Sequence, residues 1–237
     1  MSSTLFRWKE LEEGGGVWRH SGDPRSPHVV LRSGLHSDGF IDTLQYLSVI
    51  PNLVSASANL ADAIREVIGN EAIDWVMGSP MAGIPFATMV GMRLKARRVG
   101  FTEKDDSKNN PESLVCRFDM IPGSRVLMIE EMSTTGGTPQ RGINAVLAKN
   151  PEAEIIPYVG ALLTRCPKRA PELTSAEFLP LIDLSTFDVG FHQWAPAVCP
   201  LCASGSRVVT NVKKVWREFL RNMGNPSHEI VGAEYSS

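Results

Sequence analysis

The run Val126-Leu-Met-Ile-Glu-Glu-Met-Ser-Thr-Thr-Gly-Gly-Thr138 restricts the fold of this chain more than any other segment. Its four leading apolar residues are too few for a buried helix. With Pro122-Gly123 before them and a glycine pair after, they read as a core strand. Beyond the turn, Thr138 is placed to cap a helix that opens at Pro139, where the missing proline N–H costs nothing. Strand, tight turn and helix in succession are the unit from which α/β sheets are built. The turn falls at a helix N-terminus, where unpaired amides and the positive dipole end favour a phosphate. Gly136 and Gly137 permit close backbone approach and positive φ, and Ser133, Thr134, Thr135 and Thr138 bring hydroxyl groups.

Glu130 and Glu131 sit immediately before this turn. Carboxylates do not face a phosphate, but they accept hydrogen bonds from sugar hydroxyls beside it. A phosphorylated ribose meets both demands. The plainer reading is a strand-to-helix turn with two solvated glutamates.

The rest of the chain repeats the same unit. Residues 53 to 68 place Leu53, Leu60, Ile64, Val67 and Ile68 on one stripe at helical spacing, with Asp62, Arg65 and Glu66 outside it. A short strand, Ile73 to Met77, leads through the turn Gly78-Ser-Pro-Met-Ala-Gly-Ile-Pro85 into a helix with Phe86, Met89, Val90 and Leu94 inward. Further strands and helices follow around 98–102, 114–119, 125–129, 139–149, 155–163 and 176–183. The alternation predicts an α/β fold with a mostly parallel central sheet flanked by helices on both faces. Ligands of such sheets bind beyond the carboxyl ends of the strands, where the 78–85 turn and the 130–138 loop both lie. The first of these spaces Gly78 and Gly83 as a triphosphate P-loop does, but Ile84-Pro85 replaces the lysine and hydroxyl that motif needs. Its amides still suit a diphosphate. Glu103 to Ser113 is polar and aperiodic and reads as a mobile excursion between two strands.

At 237 residues, 43% of them hydrophobic, the chain is sized for one well-buried domain with appendages. The core is expected over about 53–186, a small hood from 28–52 and 187–210, and a polar tail over 211–237 that holds a short helix, Lys213 to Arg221, and frays from Asn222. A net charge of −2 with interspersed signs excludes a nonspecific nucleic-acid or membrane-surface binder. No run approaches membrane-spanning length, and the charged N-terminus does not fit a signal peptide, so a cytoplasmic location is expected. The four cysteines, Cys116, Cys166, Cys199 and Cys202, are too few and scattered for a disulfide framework. Cys199-Pro-Leu-Cys202 has the spacing of half a structural zinc site, but no second pair follows and the nearest upstream histidine is His192. It reads as a tight turn with two thiols, and no residue is assigned as a metal ligand.

Several segments taken in order resemble the orotate phosphoribosyltransferases, members of the type I phosphoribosyltransferase family. The 126–138 run is similar to that family's ribose-phosphate signature. Val30-Leu-Arg-Ser-Gly-Leu-His-Ser-Asp-Gly-Phe-Ile-Asp42 resembles its substrate-side motif, and Ser79, Pro80, Met81, Ala82 and Gly83 its pyrophosphate loop. Phe101-Thr-Glu-Lys104 looks like the start of its catalytic loop, Phe118 to Gly123 the return, and Val159 to Arg165 the strand that delivers an orotate-binding arginine. The likeness runs from about His28 to Gly205.

The resemblance implies transfer of a phosphoribosyl group from phosphoribosyl pyrophosphate to orotate, with Mg²⁺ bound through substrate phosphates. It implies that Lys104 and Glu131 are catalytic and that Glu130, the 133–138 loop and the 79–83 loop hold the donor. Arg32, Phe40 and Arg165 would hold orotate, the arginines through paired N–H donors and Phe40 through an apolar face. In the family the loop lysine acts on the neighbouring subunit's site, which implies a homodimer. The chain departs from well-studied members in its loop, which starts Thr102-Glu103-Lys104, continues through Lys108 and holds no histidine. Val115-Cys116 stands where other members carry paired arginines, with Arg117 one place late, and Glu131 stands where aspartate is usual. Competing expectations are transfer to another base, and a non-catalytic sensor of phosphoribosyl pyrophosphate.

Overall fold

The computed structural model describes residues 3–31, 33–105, 112–166, 168–186, 188–224 and 230–236. The chain opens with α1 (Ser3–Glu13), β1 (Val17–Arg19), β2 (His28–Val30), β3 (His36–Ser37), β4 (Gly39–Ile41) and α2 (Thr43–Ser48). Next come α3 (Ile50–Ile68), β5 (Trp75–Gly78), α4 (Gly83–Leu94), β6 (Arg98–Lys104), β7 (Leu114–Cys116), β8 (Arg125–Ser133) and α5 (Gly137–Lys149). The last part holds β9 (Glu154–Thr164), β10 (Glu177–Asp183), β11 (Gln193–Trp194), α6 (Pro200–Ala203), β12 (Val208–Val209) and α7 (Trp216–Gly224). These elements form two compact units, one of Met1–Trp8 with Tyr46–Phe187 and one of Lys9–Gln45 with Asp188–Ser237.

The first unit is built on a six-stranded sheet in the order β10-β9-β8-β5-β6-β7. Every neighbouring pair is parallel except β6 with β7. Its centre is β8, where Val126, Leu127, Met128 and Ile129 are wholly buried. Burying each such side chain stabilises the fold by roughly 2 kcal/mol. Successive strand residues face opposite sides, and both sides are covered here. A side chain at Gly142 of α5 would strike Met128, while one at Gly160 would strike Ile129, Ile64 and Leu60, which lie on the α3 side. A sheet sandwiched in this way explains why β8 reads as an unbroken apolar run.

The sequence stripe on α3 holds for Leu53, Leu60, Ile64 and Ile68, but Val67 is 46% exposed. A helix turns about 100° per residue, so Val67 and Ile68 cannot both stay at the centre of the buried face. Pro51 lies in the first turn of α3, where its missing N–H is harmless. The cap assigned to Thr138 is also corrected. The helix opens at Gly137, with Gly136 as the capping residue in the left-handed region at φ 88° and no side-chain cap. Pro139 therefore stands third in the helix, still within the turn whose amides have no intrahelical partner.

The second unit holds the antiparallel pair β1-β4 and a four-stranded sheet in the order β11-β3-β2-β12. It extends past the boundaries expected for the hood at both sequence ends. In place of a polar tail from 211, α7 buries Trp216 and Phe219 beside Trp18, Val29, Val209, Val212 and Val215. The Trp18 and Phe219 rings are 4.5 Å apart. Ile230 joins this core, and Tyr235 bridges to Val209. Val212 and Val215, in the turn before α7, and Trp216 and Phe219 within it all join this core, with Lys213, Lys214, Arg217 and Glu218 between them in sequence. Residues 225–229 and 237 of the expected tail lie outside the described residues. Among the described residues, no helix is long and apolar enough to cross a membrane.

Candidate active site

The order of strands in the first unit selects one place for a ligand. From β5 the chain moves outward to β6 and β7, then returns to the other side of β5 to form β8. Loops leaving the carboxyl ends of β5 and β8 thus diverge and open a crevice between them. The 79–83 loop and the 133–137 loop are those two loops.

The 79–83 loop is tied to β8 by the Ser79 N–H, which donates to the Ile129 carbonyl at 3.2 Å. A side chain at Gly78 would collide with the Gly83 carbonyl at 2.6 Å, so glycine is needed for the loop to fold back on itself. Gly83 begins α4 and lies beside Glu131, whose Oε2 is 3.5 Å from where a Gly83 Cβ would stand. The Pro80–Met81 peptide is cis. Ser79 and Ala82 are buried, whereas Met81 is 76% exposed.

At the end of β8, Glu130 is buried and Glu131 half-buried. The Glu131 N–H donates to Glu130 Oε1 at 3.1 Å. Glu130 Oε2, Glu131 Oε2 and Ser79 Oγ are buried and interact with one another, but none of them makes a well-formed hydrogen bond. A buried polar group left in this state costs about 1–3 kcal/mol. Burial, and then the charge of Glu131, push the Glu130 carboxyl well above the ordinary glutamate range. Three such oxygens close together match a ligand that offers several hydroxyl donors.

The loop after β8 is held by its own side chains. The Gly136 N–H donates to Ser133 Oγ at 3.1 Å, and the Gly137 N–H reaches Thr135 Oγ1 at 3.4 Å. Ser133 is buried and supports the turn, while Thr134 and Thr135 are exposed. Gly136 is fixed twice, by its left-handed backbone and by Ala170 and Leu173, whose Cβ atoms lie 2.9 and 2.8 Å from a Cβ placed there. Two residues with no signal in the sequence stand beside this loop. Arg141 donates to Thr138 Oγ1 at 3.3 Å, and Glu172 places its carboxylate 2.3 Å from where a Gly137 Cβ would be. Arg141 adds a cation next to the helix start; Glu172 is exposed and adds an anion.

Other residues singled out from the sequence fall as follows. Arg165 follows β9 and joins the same end of the sheet, its N–H donating to the Ser133 carbonyl at 2.8 Å. Burial draws its guanidinium below the ordinary arginine value. Lys104 ends β6 and is exposed, pairing in register with Leu114. Arg117 is engaged by Glu103 at 2.8 Å. Phe40 belongs to the second unit, where its ring packs 5.8 Å from Trp216. Arg32, Lys108 and the middle of the 103–113 loop lie outside the described residues.

A mostly parallel sheet whose switch point carries two glycine-containing loops, one of them rich in hydroxyls, beside adjacent carboxylates defines an α/β fold of the nucleotide- and sugar-phosphate-handling kind. The family model described as the phosphoribosyl transferase domain matches residues 46–179. The orotate phosphoribosyltransferase of Desulforamulus reducens is 30% identical over 189 residues, covering 80% of this chain and 90% of that one. That of Acidithiobacillus ferrooxidans is 29% identical over 199 residues, covering 81% and 92%. The crystal structure of the Aeropyrum pernix orotate phosphoribosyltransferase shares the fold with a TM-score of 0.51 at 21% identity, covering 76% of this chain and 95% of that one. The chain belongs to the phosphoribosyltransferase family, in its orotate phosphoribosyltransferase group.

Because Glu130 holds its proton more tightly folded than unfolded, it favours folding below the ordinary glutamate value of 4.5 and loses that contribution as the pH rises above it. Glu130→Gln keeps the neutral shape. Ligand-free melts at pH 8 are expected to show the variant unfolding at higher temperature than the parent, with the gap closing as the pH falls toward 4.5. An equal gap at both ends of the range would contradict the assignment.

Proposed function

We propose that the protein transfers the phosphoribosyl group of phosphoribosyl pyrophosphate to orotate, releasing pyrophosphate and giving orotidine 5'-monophosphate. The observation that carries this reading is the trio of buried oxygens on Ser79, Glu130 and Glu131, none of them well hydrogen-bonded, at the switch point of the sheet. Ribose hydroxyls donate to the two carboxylates, while the amides and hydroxyls of residues 133–138 receive the 5-phosphate. The amides of 79–83 receive the diphosphate.

Charge governs the barrier in this reaction. As the bond from C1 to the leaving oxygen breaks, the sugar gains oxocarbenium character and the diphosphate gains negative charge. Glu130 and Glu131 favour the first, and Lys104 the second. Arg165, beside the loop after β8, grips the orotate anion. Mg²⁺ would be held through the substrate's phosphate oxygens, hard ligands of the kind it takes, so the carboxylates of Glu130 and Glu131 stay available to the sugar hydroxyls. When bound it supplies positive charge against the diphosphate. The active form is a homodimer in which Lys104 serves the neighbouring subunit's site, and the location is cytoplasmic.

Pyrophosphate release measured in parallel with orotate, uracil, adenine and hypoxanthine tests the reading directly. Release with orotate alone is expected; release with a purine alone would transfer the chain to another base. Lys104→Ala is expected to lower kcat roughly a hundredfold, the usual cost of one preorganised charge donor. An unchanged kcat removes Lys104 from the mechanism. Arg165→Ala is expected to raise KM for orotate about tenfold or more, as loss of a charge-assisted hydrogen bond does. The KM for phosphoribosyl pyrophosphate should move little, and equal rises in both would assign Arg165 to the sugar-phosphate side.

A further inference from the structure

The second unit contains a cluster unrelated to the sugar-phosphate site. His28, His36, Cys199 and Cys202 each direct one ligand atom to a common point, and these four atoms all lie within 4.8 Å of one another. The hairpin β2-β3 supplies the histidines. Val30 faces His36 in register, and strand alternation sets His28 on the same side as Val30, so both imidazoles emerge from one face of the sheet. The cysteines come from the turn and short helix that connect β11, at one edge of that sheet, with β12 at the other. This crossing carries Cys199 and Cys202 over the hairpin. His28, His36 and Cys199 are buried, and Cys202 is on the exposed side.

The proton positions are fixed by the surroundings. Ser206 donates its hydroxyl hydrogen to the Ser26 carbonyl at 2.6 Å, so its oxygen accepts from His28 Nδ1 at 2.8 Å. His28 therefore carries its proton on Nδ1 and turns the lone pair of Nε2 inward. That single lone pair faces His36 Nδ1 at 3.2 Å, Cys202 Sγ at 3.4 Å and Cys199 Sγ at 3.6 Å. Cys202 Sγ is also 3.2 Å from His36 Nδ1. One acceptor cannot serve three donors, whereas one cation serves four converging lone pairs.

We infer that His28 Nε2, His36 Nδ1, Cys199 Sγ and Cys202 Sγ form a structural zinc site. A tetrahedral zinc with Zn–N about 2.0 Å and Zn–S about 2.3 Å separates its ligand atoms by roughly 3.3–3.8 Å, close to the spacings here. Two thiolates and two imidazoles in a tetrahedron select zinc over the hard cations. All four atoms are too close together to straddle a two-iron cluster. The Ser26–Ser206–His28 chain is the outer support such sites use to orient an imidazole. The site also answers a structural need: the strands of this sheet are two or three residues long, a ladder too short to hold by itself. A metal clamping the hairpin to residues 199–202 closes it.

The test uses the full chain, stripped with a strong chelator under reducing conditions and reloaded with Zn²⁺ or Co²⁺. Elemental analysis after gel filtration is expected to give about one zinc per chain. Cobalt is expected to produce the intense visible bands of a tetrahedral site and a thiolate-to-cobalt charge-transfer band. Cys199→Ser and Cys202→Ser should each abolish both signals, while Cys116→Ser and Cys166→Ser keep them. Ser206→Ala should weaken zinc affinity about ten- to a hundredfold. If a variant does not fold, the cobalt spectrum of the parent decides alone. A parent chain that retains no zinc, a weak octahedral cobalt spectrum, or a Cys199–Cys202 disulfide in protein kept reduced and supplied with Zn²⁺ would each overturn the site. None of these readouts needs turnover, so their failure leaves the transferase reading untouched.

Discussion

Burial of β8 on both faces is the constraint on which the first unit depends. Because Val126 to Ile129 are wholly buried, the strand delivers Glu130 into the interior and Glu131 to its margin where it ends. Carboxylates so placed are costly unless something donates to them. The cost is tolerable only at the switch point of the sheet, where the crevice admits a ligand. The Ser79 amide bonded to Ile129 fixes the neighbouring loop against the same strand. Two loops far apart in sequence are thereby held as one cradle.

Electrostatics in that cradle are divided by position. Acidic groups gather at the end of β8, and the helix start after Gly136 and Arg165 bring positive potential beside them. A sugar that becomes cationic and a diphosphate that becomes more anionic need this separation of sign. Arg141 and Glu172 refine it at the phosphate loop, one attracting and one repelling an anion, and the exposed Glu172 tip has water to turn toward.

The second unit solves a different problem. Its sheet is made of very short strands, and its stability comes from aromatic packing on α7 and, in the proposal above, from a metal clamp. Trp216 also donates through its indole N–H to the Gly15 carbonyl at 3.1 Å, so one side chain both fills the core and satisfies a backbone acceptor near the start of the chain. Residues near both chain ends are thus recruited into one small core.

Local periodicity and turn chemistry were enough to mark β8, α3, the loops after β5 and β8 and the parallel sheet, since each is dictated by residues within a few positions of one another. The same reasoning put the α5 cap at Thr138, because a hydroxyl before a proline is a strong local signal, while the packing of Ala170 and Leu173 on Gly136 that starts the helix earlier is long-range. It placed Val67 inward for want of the neighbours that decide which edge of a stripe is covered. A short helix over Lys213 to Arg221 was legible and α7 overlaps it, but its apolar face acquires meaning only against Trp18 and Val29. Tertiary structure alone brought His28 to Cys199, 171 residues away, because nothing in the sequence records which strands will pair or which loop will cross them. Chemistry carried by one segment is legible in its residues; chemistry shared between distant segments exists only after burial has chosen their partners.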